Sequence, residues 1–202
     1  MATSFSITDG QLVECIKKFC LEVPVAFIIM GTHGASGPRK DIIGSNTHDV
    51  ATSVGIPLVI VLENNRGFKM EQVVFFTDFQ KGDVNTLEAF KDITGANQRS
   101  LRLVHISEET DGSENQDRQA LEDWKTRLHK ETGYEDLRTE LVSGDQNINI
   151  INHILDRLDA DLTLLTLTQK RNFFDRLFYK SLAKAIVLNP RTPVLLTSAS
   201  SE

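Results

Sequence analysis

Between residues 70 and 200, short apolar runs alternate with helical patterns, and this alternation leaves few folds open to the chain. The runs are Gln72–Phe79 (QVVFFTDF), Leu101–Ile106, Leu137–Val142, Leu162–Leu167 and Pro193–Thr197. They have the length and the Val, Ile, Leu and Phe content of buried strands. Between them, 84–94 reads as a helix ending before Gly95, and Gln116–Lys130 as an amphipathic helix with Leu121, Trp124 and Leu128 on one face. Ile148, Ile151, Ile154, Leu155 and Leu158 form the stripe of a third helix, and Ser181–Leu188 lies in a fourth. The acidic stretch Glu108–Asp117 reads as a solvated loop. Such alternation predicts an α/β fold with a doubly wound, parallel, five-stranded sheet. Right-handed crossovers then put helices on both faces, and ligands sit at the carboxyl ends of the strands near a switch in strand order.

The front of the chain repeats the back of this pattern. Ser45 and Ser181, Pro57 and Pro193, and Asp9 and Asp145 are each 136 positions apart, with no gap between them. On this alignment Phe27-Ile28-Ile29 falls on Thr163-Leu164-Leu165, and Leu58-Val59-Ile60 on Val194-Leu195-Leu196. Phe5–Ile7 reads as a brief strand, and Asp9 as the cap of a helix to about Leu21 with Leu12, Ile16 and Phe19 on one face. A strand ending at Met30, a glycine loop, a helix from Ser45 with Gly55 as its C-cap, and the strand Pro57–Glu63 complete the block. Asn64-Asn65-Arg66-Gly67 reads as a linker. The expected units are therefore residues 1–66, a partial second copy, and residues 67–202, a complete one.

Phe27–Thr47, FIIMGTHGASGPRKDIIGSNT, carries the most specific local chemistry. A buried parallel strand runs into a loop with Gly31 and Gly34, followed by Gly44, Ser45 and a helix. Glycines let backbone N–H groups approach an anion, and a helix N-terminus with a Ser cap attracts phosphate. On residue chemistry alone the stretch is either a phosphate cradle or a structural turn. It is neither a P-loop nor a dinucleotide fingerprint.

The spacing Gly31-x2-Gly34-x9-Gly44-Ser45, together with the strand Ile56-Pro57-Leu58-Val59-Ile60-Val61, resembles the ATP-binding motif and final strand of the universal stress protein family. The resemblance implies the same doubly wound fold and a tandem protein whose first repeat lacks its front two strands and helices. It implies an adenine-nucleotide sensor or switch in stress response, with ATP, and Mg²⁺ alongside it, held at Met30, Gly31, Gly34, Gly44, Ser45, Asn46 and Thr47. Two units of this family commonly pair through their final strands. That suggests Leu58–Leu62 beside Val194–Thr197, within the chain or in a homodimer, and the apolar edge at residues 24–30 covered by the second repeat or another chain.

In the second repeat Asp78 matches the family's adenosine-side acid. Leu167, Lys170 and Lys180 fall where the glycines stand, and only Ser181 is kept. The stretch 170–180, with Lys170, Arg171, Phe173, Phe174, Phe178 and Tyr179, reads as a loop repacked over a dead site, or as a site for a partner or a different anion. In the dead-site reading Asp78 is a turn or cap residue. An interaction scaffold that binds no nucleotide, and a weak ATPase, are the alternative functions.

Composition narrows the classes further. A net charge of −6 disfavours general nucleic-acid binding. No apolar run is long enough for a membrane span, and no signal peptide is evident. Cys15 and Cys20, five apart in one expected helix, are poorly placed for a disulfide, and the cytoplasm is the default location. His33, His48, His105, His129 and His153 are scattered without metal-site spacing. His33, Thr32, Ser36 and Ser45 make no committed nucleophile–base pair, and Asp41 reads as a solvated acid before a helix, so no catalytic residue and no metal ligand is assigned.

Overall fold

Every residue of Val73–Phe76 and of Leu162–Leu167 is buried, as in strands covered on both faces. The computed structural model describes residues 3–31, 43–61, 70–95, 99–107, 114–167, 186 and 191–198. In chain order these form α1 (Leu12–Glu22), β1 (Ile28–Gly31), α2 (Ile43–Ser53), β2 (Leu58–Val61), β3 (Val73–Phe76) and α3 (Gly82–Thr94). Then come β4 (Leu101–Ser107), α4 (Glu114–Thr132), β5 (Leu137–Ser143), α5 (Ile148–Arg157), β6 (Leu162–Leu167) and β7 (Val194–Ser198).

The strands form one sheet in the order β1-β2-β7-β6-β3-β4-β5. Within β7-β6-β3-β4-β5 every pair is parallel, the expected five-stranded unit. Chain direction explains its two faces. The steps β3 to β4 and β4 to β5 move one way, and their helices α3 and α4 bury Leu87, Phe90, Leu121, Trp124 and Leu128 against Phe75, Leu103 and Leu164. The step from β5 back to β6 reverses direction, so α5 lies on the other face, with Ile151, Ile154 and Leu155 against Phe76, Val104 and Leu165. The switch in strand order falls between β3 and β6.

The front block supplies β1 and β2, parallel to each other, with α1 and α2 on the same face as α5. It joins the rest through an antiparallel ladder between β2 and β7. Leu58 lies opposite Leu196, Val59 opposite Leu195 and Ile60 opposite Val194. Positions 136 apart therefore cross one another, with Val59 opposite Leu195 at the middle of the ladder.

The strands before the loops follow a different alignment. The Ile28 N–H donates to the Pro57 carbonyl and the Thr163 N–H to the Pro193 carbonyl, both at 2.9 Å. Ile28 is thus the counterpart of Thr163, one residue off the ungapped alignment. Side-chain direction agrees: Ile28 and Met30 face the cluster that holds Leu165 and Leu167. Thr166 stands level with Gly31, and Leu167 does not.

Several expectations are corrected. Phe5 and Ile7 lie outside any strand and are 93% and 88% exposed. Their counterparts near the end of β5 pair with β4, and the front block has no such neighbour. Asp9 does not cap α1; the N-cap position is Gln11, with no side-chain hydrogen bond. Ser45 lies inside the first turn of α2, which begins at Ile43. The final strands pair within the chain, and β2 and β7 each have both edges filled, so neither offers an edge for a homodimer. Among the described strands none beyond β2 pairs with β1, which stands at an edge of the sheet. The linker 64–67 and all of the helix expected from Ser181 except Ile186 lie outside the described residues.

Val59 is 8% exposed between β1 and β7. A Val59→Asp substitution buries an unpaired carboxylate there and is expected to cost about 3–5 kcal/mol, read as a lowered urea midpoint. Val59→Ile keeps the apolar contact and should stay close to wild type.

Candidate functional site

β1 ends at Gly31 and α2 begins at Ile43, so the expected glycine loop joins a strand's carboxyl end to a helix N-terminus. Met30 is half-buried and packs into the core below, while Gly31 is exposed. A Cβ added to Gly31 would meet no described atom within 4 Å. Its φ also lies outside the left-handed region, so its backbone conformation does not demand glycine. Gly44 and Ser45 lie in the first turn of α2. Asn46 is exposed and Thr47 is buried at 3% exposure. Gly34, and with it Thr32, His33, Ser36 and Asp41, lies outside the described residues.

A second cleft opens at the carboxyl ends of β3, β4 and β6, beside the switch in strand order. It is shallow, with a volume of about 10 Å³, and is lined by Thr77, Asp78, Val104, Ile106, Gln146 and Leu165 among others. Asp78 Oδ1 is 3.5 Å from His105 Nδ1. The same nitrogen is 3.0 Å from the Thr77 carbonyl, which can only accept, so Nδ1 carries the proton. Phe79 covers the imidazole with ring centroids 4.3 Å apart. Its φ of 60° is costly for a residue with a Cβ, and its N–H donates to Thr77 Oγ1 at 3.0 Å. Gln146 Nε2 donates to the Ile106 carbonyl at 3.1 Å. Asp78 is therefore not a cap: the N-cap position of α3 is Lys81, and Asp78 lines the cleft.

Under the other face of the same strand ends lies a buried polar network that sequence reasoning missed. Asp83, in the first turn of α3, is 1% exposed. Its Oδ2 accepts from Thr77 Oγ1 at 2.5 Å and from Trp124 Nε1 at 3.1 Å, and its Oδ1 accepts from Thr166 Oγ1 at 2.7 Å. Thr86 Oγ1 lies 2.7 Å from Thr166 Oγ1 and also meets Thr197 Oγ1. Burial drives the Asp83 pKa up to about 6, against the pull of its hydrogen-bond donors. The available signal was a set of threonines, Thr77, Thr166 and Thr197, at the carboxyl ends of three strands and all facing α3. Thr166 occupies the level of Gly31, so the second block spends that position on an internal hydrogen bond. Lys170, Lys180, Ser181 and the stretch 170–180 lie outside the described residues.

No cluster of three or more His, Cys, Asp or Glu suited to a metal ion occurs among the described residues. No described helix is long and apolar enough to cross a membrane.

No family model and no curated protein matches the sequence. Solved structures do match its fold. A universal stress protein from Archaeoglobus fulgidus DSM 4304 aligns with a TM-score of 0.66 and 21% identity, over 94% of this chain and 66% of that one. A protein provisionally named a universal stress protein, from Pseudomonas aeruginosa UCBPP-PA14, aligns with a TM-score of 0.64 and 15% identity, over 95% of this chain and 69% of that one. A shorter hypothetical protein, whose biochemical function was assigned from its structure, is covered over 100% of its length by 66% of this chain, with a TM-score of 0.51 and 16% identity. The chain spans just under two thirds of the Archaeoglobus protein. Its fold is that of the universal stress proteins.

The Asp83 carboxyl holds its proton more tightly in the folded chain than at its ordinary value of 3.8. Its contribution to stability is complete below that value and is lost as pH rises through about 6. The change is on the order of 3 kcal/mol, from about two pKa units at about 1.4 kcal/mol each. Asp83→Asn should remove this component, so the wild-type minus variant difference in Tm is expected to shrink from pH 5 to pH 7.5.

Proposed function

We propose that the chain is a universal stress protein that binds an adenine nucleotide at Gly31-x2-Gly34-x9-Gly44-Ser45 and acts as a sensor or switch. The observation that carries this reading is the glycine-marked connection from the carboxyl end of β1 at Gly31 to the first turn of α2, where Gly44 and Ser45 sit. Backbone N–H groups of Gly31 and Gly34, with the amino end of α2, would take the phosphates of ATP. The Ser45 hydroxyl and the neighbouring Asn46 and Thr47 would supply polar contacts, and Mg²⁺ would accompany the phosphates. The fold shared with universal stress proteins supports the same reading.

The reading includes two units of one design, residues 1–66 and 67–202, in a cytoplasmic protein. The β2–β7 ladder supports the two units, since counterparts face each other across it. The rival reading is a scaffold that binds no nucleotide. It is favoured by Thr166, whose hydroxyl is committed to Asp83 at the level where the first unit has glycine.

Calorimetric titration of Mg-ATP into the chain tests the proposal. Saturable binding is expected, and Gly34→Leu should abolish it while leaving circular dichroism and Tm unchanged. Absence of binding to the wild-type chain, or binding indifferent to Gly34→Leu, would leave the scaffold. Steady release of phosphate from bound ATP would make the protein an ATPase instead of a switch.

A further inference from the structure

The polar network under α3 holds more contacts than its hydroxyls have protons. Thr86 Oγ1 stands within hydrogen-bond range of three oxygens: the Gly82 carbonyl at 3.3 Å, Thr166 Oγ1 at 2.7 Å, and Thr197 Oγ1. Thr166 Oγ1 also reaches Asp83 Oδ1 at 2.7 Å. Each of these four contacts joins two oxygens, so each needs a proton of its own. Thr86, Thr166 and Thr197 bring one hydroxyl proton apiece, three in all, and the Gly82 carbonyl can only accept. Among the groups in contact, only the Asp83 carboxyl can supply the fourth.

A proton on Oδ1 closes the chain. Asp83 then donates to Thr166, Thr166 to Thr86, and Thr86 to the Gly82 carbonyl, while Thr197 donates to Thr86. Without that proton the chain runs the other way, from Thr86 through Thr166 to the carboxylate, and the Gly82 carbonyl loses its hydroxyl. Oδ2 is the poorer place for the proton. Trp124 Nε1 faces it at 3.1 Å and cannot accept, and Thr77 Oγ1 already accepts from the Phe79 N–H at 3.0 Å. The Thr77 and Trp124 bonds to Oδ2 therefore persist in both states, and they are stronger when the carboxyl is ionised.

The charged and titratable groups on the surrounding elements are engaged elsewhere. Asp78, after β3, meets His105 of β4. On α4, Asp117 takes the Ser107 hydroxyl and Arg127 lies over the Trp124 ring. Lys81, before α3, is exposed, and β6 and β7 bring Thr166 and Thr197. Burial lifts the Asp83 pKa to about 6, so both states are reached between pH 5 and pH 7.5.

We propose that Asp83 and the hydroxyls of Thr166, Thr86 and Thr197 form a proton-driven switch at the root of the Asp78 cleft. Protonated, the carboxyl closes the hydroxyl chain onto the first turn of α3. Ionised, it gives up the Gly82 contact and grips the Trp124 indole and Thr77, the residue before Asp78, more tightly. The switch trades a contact inside α3 for a firmer cleft wall, and it requires no nucleotide.

Trp124 is the one tryptophan in the chain, so its indole N–H gives a single reporter resonance in proton NMR. In the wild-type chain this resonance is expected to move downfield as pH rises, with a midpoint at about 6. Thr86→Val takes three contacts from the protonated form and two from the ionised form. Its midpoint should therefore fall by about 0.5–1 pH unit. Thr86→Ser keeps the hydroxyl and should restore the wild-type midpoint. Asp83→Asn should hold the resonance still from pH 5 to pH 7.5; where that variant does not fold, the two Thr86 variants decide. An indole that does not titrate in the wild-type chain overturns the proposal, as does one that still titrates in Asp83→Asn. A Thr86→Val midpoint that is unchanged or raised overturns it too.

Discussion

Three residue pairs between β2 and β7 hold the architecture together. A parallel sheet must be covered on both faces, and a block of two strands with two helices on one side cannot meet that requirement alone. By pairing antiparallel with β7, β2 places Val59 against the cluster under α3 and α4, while Leu58 and Ile60 join the cluster under α2 and α5. The same ladder fixes where chemistry can occur. Strands of the front block run opposite to those of the back block, so the carboxyl end of β1 and the carboxyl ends of β3 and β6 lie at opposite ends of the sheet. Gly31, at the end of β1, and the Asp78 cleft are therefore at opposite ends of the sheet.

At the level where they correspond, the two blocks use one position in two ways. Gly31 has no side chain and nothing described above it. Thr166 sends its hydroxyl to a carboxylate that also holds Thr77, the residue before Asp78. The cleft wall is thus tied, through Thr77 and Asp83, to α3 and to the Trp124 indole of α4. Arg127 lies over that indole at 5.0 Å. A buried carboxylate with three side-chain donors is rigid while every donor is in place and costly when one is lost.

Much of the back block was legible in the sequence because its signals are local. Its described strands and α3, α4 and α5 fall within a few residues of their expected ends, and Gly95, like Gly55 in the front block, takes the positive φ expected after a helix. What escaped reading depends on neighbours distant in sequence. Phe5–Ile7 has the composition of a strand but lacks an adjacent strand to bond. Asp83 looks like any acid in a first helical turn until Thr166, 83 positions later, is folded against it. The tight spacing of the glycine motif and its fold context were readable, whereas the side chains that would meet a ligand there were not. Matched by their ladders, β1 and β6 sit one residue off the ungapped alignment, a shift that hydrophobic composition does not register while side-chain direction does.

That single residue has a consequence for how two such blocks can exchange sequence. The segment between β6 and the strand after it is one residue longer than its counterpart between β1 and β2. A recombination joint placed within the strands at the ungapped alignment would turn Leu164 and Thr166 to the opposite face, taking the Thr166 hydroxyl away from Asp83 and into an apolar layer. A joint placed in the loop leaves every strand in phase.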